Sequence, residues 1–141
     1  MGLFKRSARQ QIQKEIVLGI LYLLSEREKG EIPLHLLKEC IIKLQETSQE
    51  YFTNTSKKYF YSLELESLLN RLCFWNYAFL HKYNTSVPPK RYLVLTPLGK
   101  TMGKMSYNRL RESGILNLEN VVDTVLRESK FIEEMEILHE N

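Results

Sequence analysis

The stretch Tyr92-Leu93-Val94-Leu95-Thr96-Pro97-Leu98-Gly99-Lys100 decides how this chain folds. Its first four residues suit a strand. Thr96 can cap a helix, and Pro97, with φ already fixed and no N–H to lose, suits the first helical position. A strand therefore ends at Thr96 and a helix begins. Upstream, Ala78 to Leu95 reads as a β-hairpin, because Asn84 to Pro89 has the composition of a turn. Its tip carries Val87-Pro88-Pro89-Lys90-Arg91. Before the hairpin, Ser62 to Asn76 sets Leu65, Leu68, Leu69 and Leu72 on one helical face, with Leu63, Ser67, Asn70, Arg71 and Phe74 on the opposite one. Asn76 closes that helix.

Working outward, a first helix is expected from about Gln11 to Ser25, with Ile12, Ile16, Ile20, Leu23 and Leu24 as its buried stripe. Glu31-Ile32 precedes a proline and is biased towards extended geometry. Pro33 starts a second helix with Leu34, Leu37, Ile41 and Leu44 on one face. Gln45 to Ser56 is polar, so this helix frays within it, with an extra turn through Tyr51 and Phe52 as one option. The helix after Pro97 runs to about Arg111 and breaks at Ser113-Gly114. From Asn117 to Leu138, Leu118, Val121, Val125, Ile132 and Met135 recur at heptad spacing, interrupted by Glu128.

A leucine-rich helix, a hairpin and a last strand running into Leu95-Thr96-Pro97-Leu98-Gly99-Lys100 resemble winged helix-turn-helix transcriptional regulators of the MarR and PadR type. Their last wing strand commonly ends in a Leu-Thr-x-x-Gly-Lys/Arg segment. The resemblance covers roughly residues 11 to 111 and consists of layout plus this one motif. It implies a mainly α fold with a small antiparallel β-hairpin: a winged helix-turn-helix with a C-terminal helical extension. It also implies that Glu31-Ile32 pairs with the wing, and that the function is sequence-specific binding of double-stranded DNA by a homodimer. The expected organisation is a basic arm over residues 1–10, a DNA-binding domain over 11–96 and dimerising C-terminal helices over 97–141.

Charge agrees with this division. Residues 1–111 hold 18 Lys and Arg against 9 Asp and Glu, a balance of +9, whereas residues 112–141 hold 2 against 8, or −6. A basic body suits a polyanion, and an acidic tail is repelled by one. Ile16 to Leu24 is too short to span a bilayer, and Ser25-Glu26-Arg27-Glu28-Lys29 stands where a signal peptide would need small residues. Position six is Arg6 rather than the Ser or Thr of a myristoylation signal. An intracellular, cytoplasmic protein without a membrane partner is expected.

Catalytic signatures are missing: there is no GxSxG elbow, HExxH pair or Walker loop, and Glu64 and Glu66 fall on different helical faces. His35, His81 and His139 lack metal-ligand spacing with one another or with Cys40 and Cys73, which read as reduced core cysteines. No enzyme, metal or cofactor is expected, and no effector can be named. For DNA, Ser67, Asn70 and Arg71 are the candidate base readers, since Asn can bridge an adenine edge and Arg can fork onto guanine. Lys57, Lys58, Lys82, Lys90 and Arg91 are the candidate phosphate partners. Leu118, Val121, Val125, Ile132 and Met135 form the candidate dimer interface, with packing of this helix back onto helix 1 of its own chain as the alternative. Trp75, Tyr77, Phe79, Tyr59, Phe60 and Tyr61 are expected to pack the core and support the wing, with stacking on unpaired bases as the alternative. Two other functions stay open: a winged-helix module for protein interaction in a larger assembly, and a plasmid or viral replication or partition protein.

Overall fold

The computed structural model describes the chain apart from Met1, Gln49, Asn54, residues 57–62, residues 85–89, residues 115–116 and Asn141, and apart from the side chains of residues 2–7 and Glu140. Among the described residues, five helices and three strands follow one another: α1 (Gly2–Glu28), β1 (Ile32–Pro33), α2 (Leu34–Thr47), α3 (Leu63–Phe74), β2 (Ala78–Tyr83), β3 (Lys90–Leu95), α4 (Pro97–Ser113) and α5 (Leu118–Glu140). The protein is mainly helical with one small antiparallel sheet, in the order β1-β3-β2. Ile32 pairs with Leu93, so the extended dipeptide before α2 does join the hairpin. Ala78 pairs with Leu95 and Tyr83 with Lys90 at the two ends of the hairpin ladder. No described helix is long and apolar enough to cross a membrane.

Helix α1 is the centre of the core. Ile16, Val17, Leu18, Ile20, Leu21 and Leu24 are all fully buried, which is a belt around the helix rather than the single stripe expected. A helix apolar on all sides must be surrounded. Here α4, α5, α2 and the sheet surround it. Ile12, expected inside, is 40% exposed because it lies beyond that belt. Helix α1 also starts earlier than the expected Gln11. Residues 2–10 continue α1, since no breaker separates Leu3 from Gln11 and Arg9 is tied to Glu64 of α3 at 2.9 Å.

The Leu-Thr-x-x-Gly motif explains how α3, the hairpin and α4 lock together. Thr96 Oγ1 accepts a bond from the Gly99 N–H at 2.9 Å, capping α4, and donates to the Asn76 carbonyl at 2.7 Å. Thr96 N–H donates to the Tyr77 carbonyl at 3.0 Å. A Cβ on Gly99 would sit 1.8 Å from that same carbonyl oxygen, so only glycine permits the approach. Asn76 takes a left-handed conformation with φ 63°, and Tyr77 N–H reaches back to the Leu72 carbonyl at 2.9 Å, ending α3 in a Schellman turn. Further along α4, Gly103 lets the helix ride on α1, its missing Cβ facing the Leu18 carbonyl and Tyr22.

Between α2 and α3 the chain forms no extra helical turn in its described part. Gln45 instead takes the place of one: its side-chain oxygen accepts from the N–H groups of Tyr51 and Phe52 at 3.0 and 2.5 Å, and its amide donates to Thr55. Phe52 fills the core completely.

Helix α5 divides into two halves. Leu118, Val121 and Val125, expected in a seam between two copies, are buried within their own chain together with Val122 and Leu126. They cover α1 and α2, which a short helical core leaves open. Arg27 to Asp123 at 2.5 Å and Lys43 to Glu128 at 3.2 Å clamp this half down. Glu128 thus interrupts the heptad because it meets Lys43. Beyond it, Ile132 at 56% and Met135 at 40% remain exposed, beside Phe131 at 63%.

Candidate nucleic-acid interface

The outer face of α3 is a stripe at i, i+4, i+7 and i+11: Leu63, Ser67, Asn70 and Phe74, all exposed. That spacing keeps four side chains on one line of the helix. Leu63 is 71% and Phe74 86% exposed, values unusual for large apolar residues at both ends of one stripe. Arg71 stands beside the stripe, half-buried, and its Nε is buried without a hydrogen-bond partner. It borders a pocket of about 390 Å³ shared with Arg9, Gln10, Gln13 and Ser67.

The two glutamates of α3, which would repel a polyanion, are both engaged by neighbours. Glu64 accepts from Arg9 through both oxygens, at 2.9 and 3.2 Å. It also accepts from Gln13 Nε2 at 2.6 Å and from the N–H and hydroxyl of Thr53 at 2.7 and 2.8 Å. The Arg9 bond, joined by those from Gln13 and Thr53 and opposed by desolvation, pulls the carboxyl down to about 2. Gln13, only 2% exposed, uses the same amide nitrogen to reach the Tyr51 carbonyl at 2.7 Å. Glu64 therefore fastens α3 to α1 and to the loop before it. Glu66 accepts a fork from Arg91 at 3.1 and 3.4 Å, with Lys38 Nζ at 3.8 Å. Burial, then the nearby Arg91 charge, lower the Lys38 pKa, and Glu66 offsets part of this.

The expected wing cations separate. Lys82 and Arg91 are cross-strand partners on the sheet face that carries Leu80 and Leu93, so they point with the core side. Lys90 lies on the other face with Tyr83. Lys82 and Lys90 are exposed, whereas Arg91 is committed to Glu66. Lys57, Lys58, the aromatic residues Tyr59, Phe60 and Tyr61, and the wing tip at Val87, Pro88 and Pro89 lie outside the described residues.

The aromatic residues around α3 only partly pack the core. Tyr77 is half-buried, but Trp75 and Phe79 are exposed, with Phe79 at 53% on the edge strand. Lys14 Nζ lies 5.5 Å from the Trp75 ring centroid, a cation–π contact. On the outer sheet face, Glu31 accepts from the Tyr83 hydroxyl at 2.7 and 2.9 Å and meets His81 Nδ1 at 3.3 Å. The Tyr83 bond, then that of His81, lower the Glu31 carboxyl. This carboxylate, just ahead of β1, thereby reaches across β3 to strand β2.

Several of these groups escaped the sequence reading. Arg9, Gln13, Thr53, Lys38 and Glu31 act across 11 to 55 positions of chain, and no periodicity or motif marks such a pair. Cys40 and Cys73 are both free, and burial pushes the Cys40 thiol up to about 12, leaving it protonated and inert. Among the described residues no group of three or more His, Cys, Asp or Glu could hold a metal ion. Comparison with known proteins finds no matching family model, no similar curated protein and no similar solved structure.

Proposed function

We propose that this chain is a winged helix-turn-helix protein that binds double-stranded DNA as a homodimer and regulates transcription. The observation that carries the reading is the exposed stripe on α3. Its two glutamates are neutralised by Arg9, Arg91 and Lys38, and no described element covers Leu63, Ser67, Asn70 and Phe74. The element order α1-β1-α2-α3-β2-β3, with β1 against β3, supports the winged-helix arrangement. In that reading α3 enters the major groove, which admits one helix. Ser67 and Asn70 meet base edges, Leu63 and Phe74 meet thymine methyl groups, and Lys82 and Lys90 meet phosphates. Arg71 reads guanine by extending from its pocket. Arg91 orients the wing against α3 through Glu66 and contributes less charge to the duplex than its position in the sequence implied. The homodimer draws on the part of α5 that stays exposed, Ile132 and Met135, joined by Phe131.

A second reading has an observation in its favour. Phe74, Leu63, Phe79 and Leu80 put apolar surface on α3 and the edge strand, which fits a module that binds protein. Selection of binding sites from a random duplex pool tests the first reading against the second. A DNA-reading α3 enriches one sequence, and Asn70→Ala then weakens that site by about 1–3 kcal/mol while leaving random duplex nearly unchanged. No enrichment, together with loss of a captured protein on Phe74→Ala, favours the interaction module.

A further inference from the structure

Helices α2 and α5 leave a groove of about 360 Å³ between them. Leu36, Val125 and Ile132 give it an apolar floor, and Glu39, Glu133 and Glu136 line it. Glu128 also borders it but is already bound to Lys43. None of Glu39, Glu133 and Glu136 makes an ion pair among the described residues. A groove with an apolar floor and an acidic rim suits a helix that carries apolar residues and cations together.

This chain contains such a segment. Gly2 to Arg9 reads Gly-Leu-Phe-Lys-Arg-Ser-Ala-Arg, with Leu3 and Phe4 beside Lys5 and Arg6, and it is helical as the first turns of α1. It cannot reach the groove of its own chain. Arg9 is held to Glu64 of α3, whereas Arg27, about 27 Å further along the same helix, is held to Asp123 of α5. Residues 2–8 extend α1 beyond Arg9, at the end of the helix far from the Arg27–Asp123 contact with α5.

We infer that the α2–α5 groove of one protomer receives the basic first turns of α1 from a second copy. A two-fold axis then fills both grooves at once, each acidic rim meeting Lys5 and Arg6 of the partner copy. Docking covers Ile132 and removes the charge repulsion among Glu39, Glu133 and Glu136. The inference rests on the homodimer in the functional reading and replaces a pairing of α5 with α5 by a pairing of α5 with α1.

Charge exchange tests it by sedimentation of the full chain. Lys5→Glu with Arg6→Glu should weaken the dimer at least ten-fold, and so should Glu133→Lys with Glu136→Lys. All four changes together should recover most of the affinity, because the attraction is restored with its sign reversed. The unaltered dimer should also weaken as salt is raised, a result that needs no variant to fold. If the two glutamate changes tighten the dimer and the N-terminal changes do nothing, α5 pairs with α5 and the inference is overturned. Failure of the four-fold variant to recover, a salt-independent dimer, or a monomer at every concentration overturns it as well. A gel shift on the same proteins keeps the two readings apart: a dimer that obeys the charge exchange but never shifts duplex retains the groove assignment and removes the regulator.

Discussion

Replacing Glu64 by Gln should destabilise the protein by an amount that depends on pH. The wild-type carboxylate accepts from Arg9, Gln13 and Thr53, and its pKa falls from 4.5 to about 2. A folded pKa below the unfolded one means that the native state binds fewer protons. Its stabilisation is therefore complete above about pH 4.5 and is lost as pH falls towards 2. A shift of that size corresponds to at most about 3 kcal/mol, and solvent on one side of the carboxylate screens it to about 1–2 kcal/mol. The Gln amide adds a donor where Gln13 already donates, leaving one half-buried N–H facing another donor and costing about 1 kcal/mol more. Urea unfolding followed by circular dichroism at neutral pH should show the variant about 2–3 kcal/mol less stable. The difference should shrink towards the amide mismatch alone as the wild-type carboxyl becomes protonated in acid. A gap that stays constant with pH, or one below about 0.5 kcal/mol at neutral pH, would refute the assignment of Glu64 as the fastening of α3.

Three further outcomes are expected. Gly99→Ala forces a Cβ to 1.8 Å from the Tyr77 carbonyl oxygen, so thermal melting should show a loss of more than about 3 kcal/mol, whereas Lys100→Ala next to it should stay within about 0.5 kcal/mol. Lys82→Ala with Lys90→Ala should flatten the log–log salt dependence of DNA binding by about 2 units, and Arg91→Ala alone by much less than 1, because Glu66 already holds Arg91. Phe74→Ser should leave unfolding free energy within about 0.5 kcal/mol, since the ring is 86% exposed, yet reduce binding of whatever partner meets α3; full binding by this variant would remove Phe74 from the interface.

Local signals were the legible ones. Thr96-Pro97, Asn76 and Gly114 each stop or start a helix through their own local chemistry, and the structure has boundaries at all three. Leu93 and Leu95 are both buried on one face of the hairpin, because a two-residue period is fixed by the pleat itself. What could not be read is tertiary. Helical spacing marks one buried stripe in α1, and only the surrounding helices reveal that Val17, Leu18 and Leu21 are equally buried. The heptad in α5 is indifferent to whether the covering surface belongs to the same chain or another one. Its first half found α1 and α2, which ended the expectation of a continuous intermolecular seam. At the candidate interface, Ser67 and Asn70 lie on the open face as their spacing required. Arg91 does not stand free, because its partner Glu66 is remote in sequence and adjacent only through the sheet register. The glutamates of α3 would repel a polyanion by sequence alone, and only the fold brings Arg9, Gln13, Thr53, Lys38 and Arg91 around them.

Helix α3 and the β2–β3 hairpin are proposed to meet duplex DNA. Fluorescence anisotropy of the full chain with a labelled random-sequence duplex, titrated at about 50 and about 200 mM salt, tests it most directly. Saturable binding should weaken by at least about ten-fold over that range, as several lysines release counterions. Absence of binding at the lower salt, or binding equally tight at both, would contradict it.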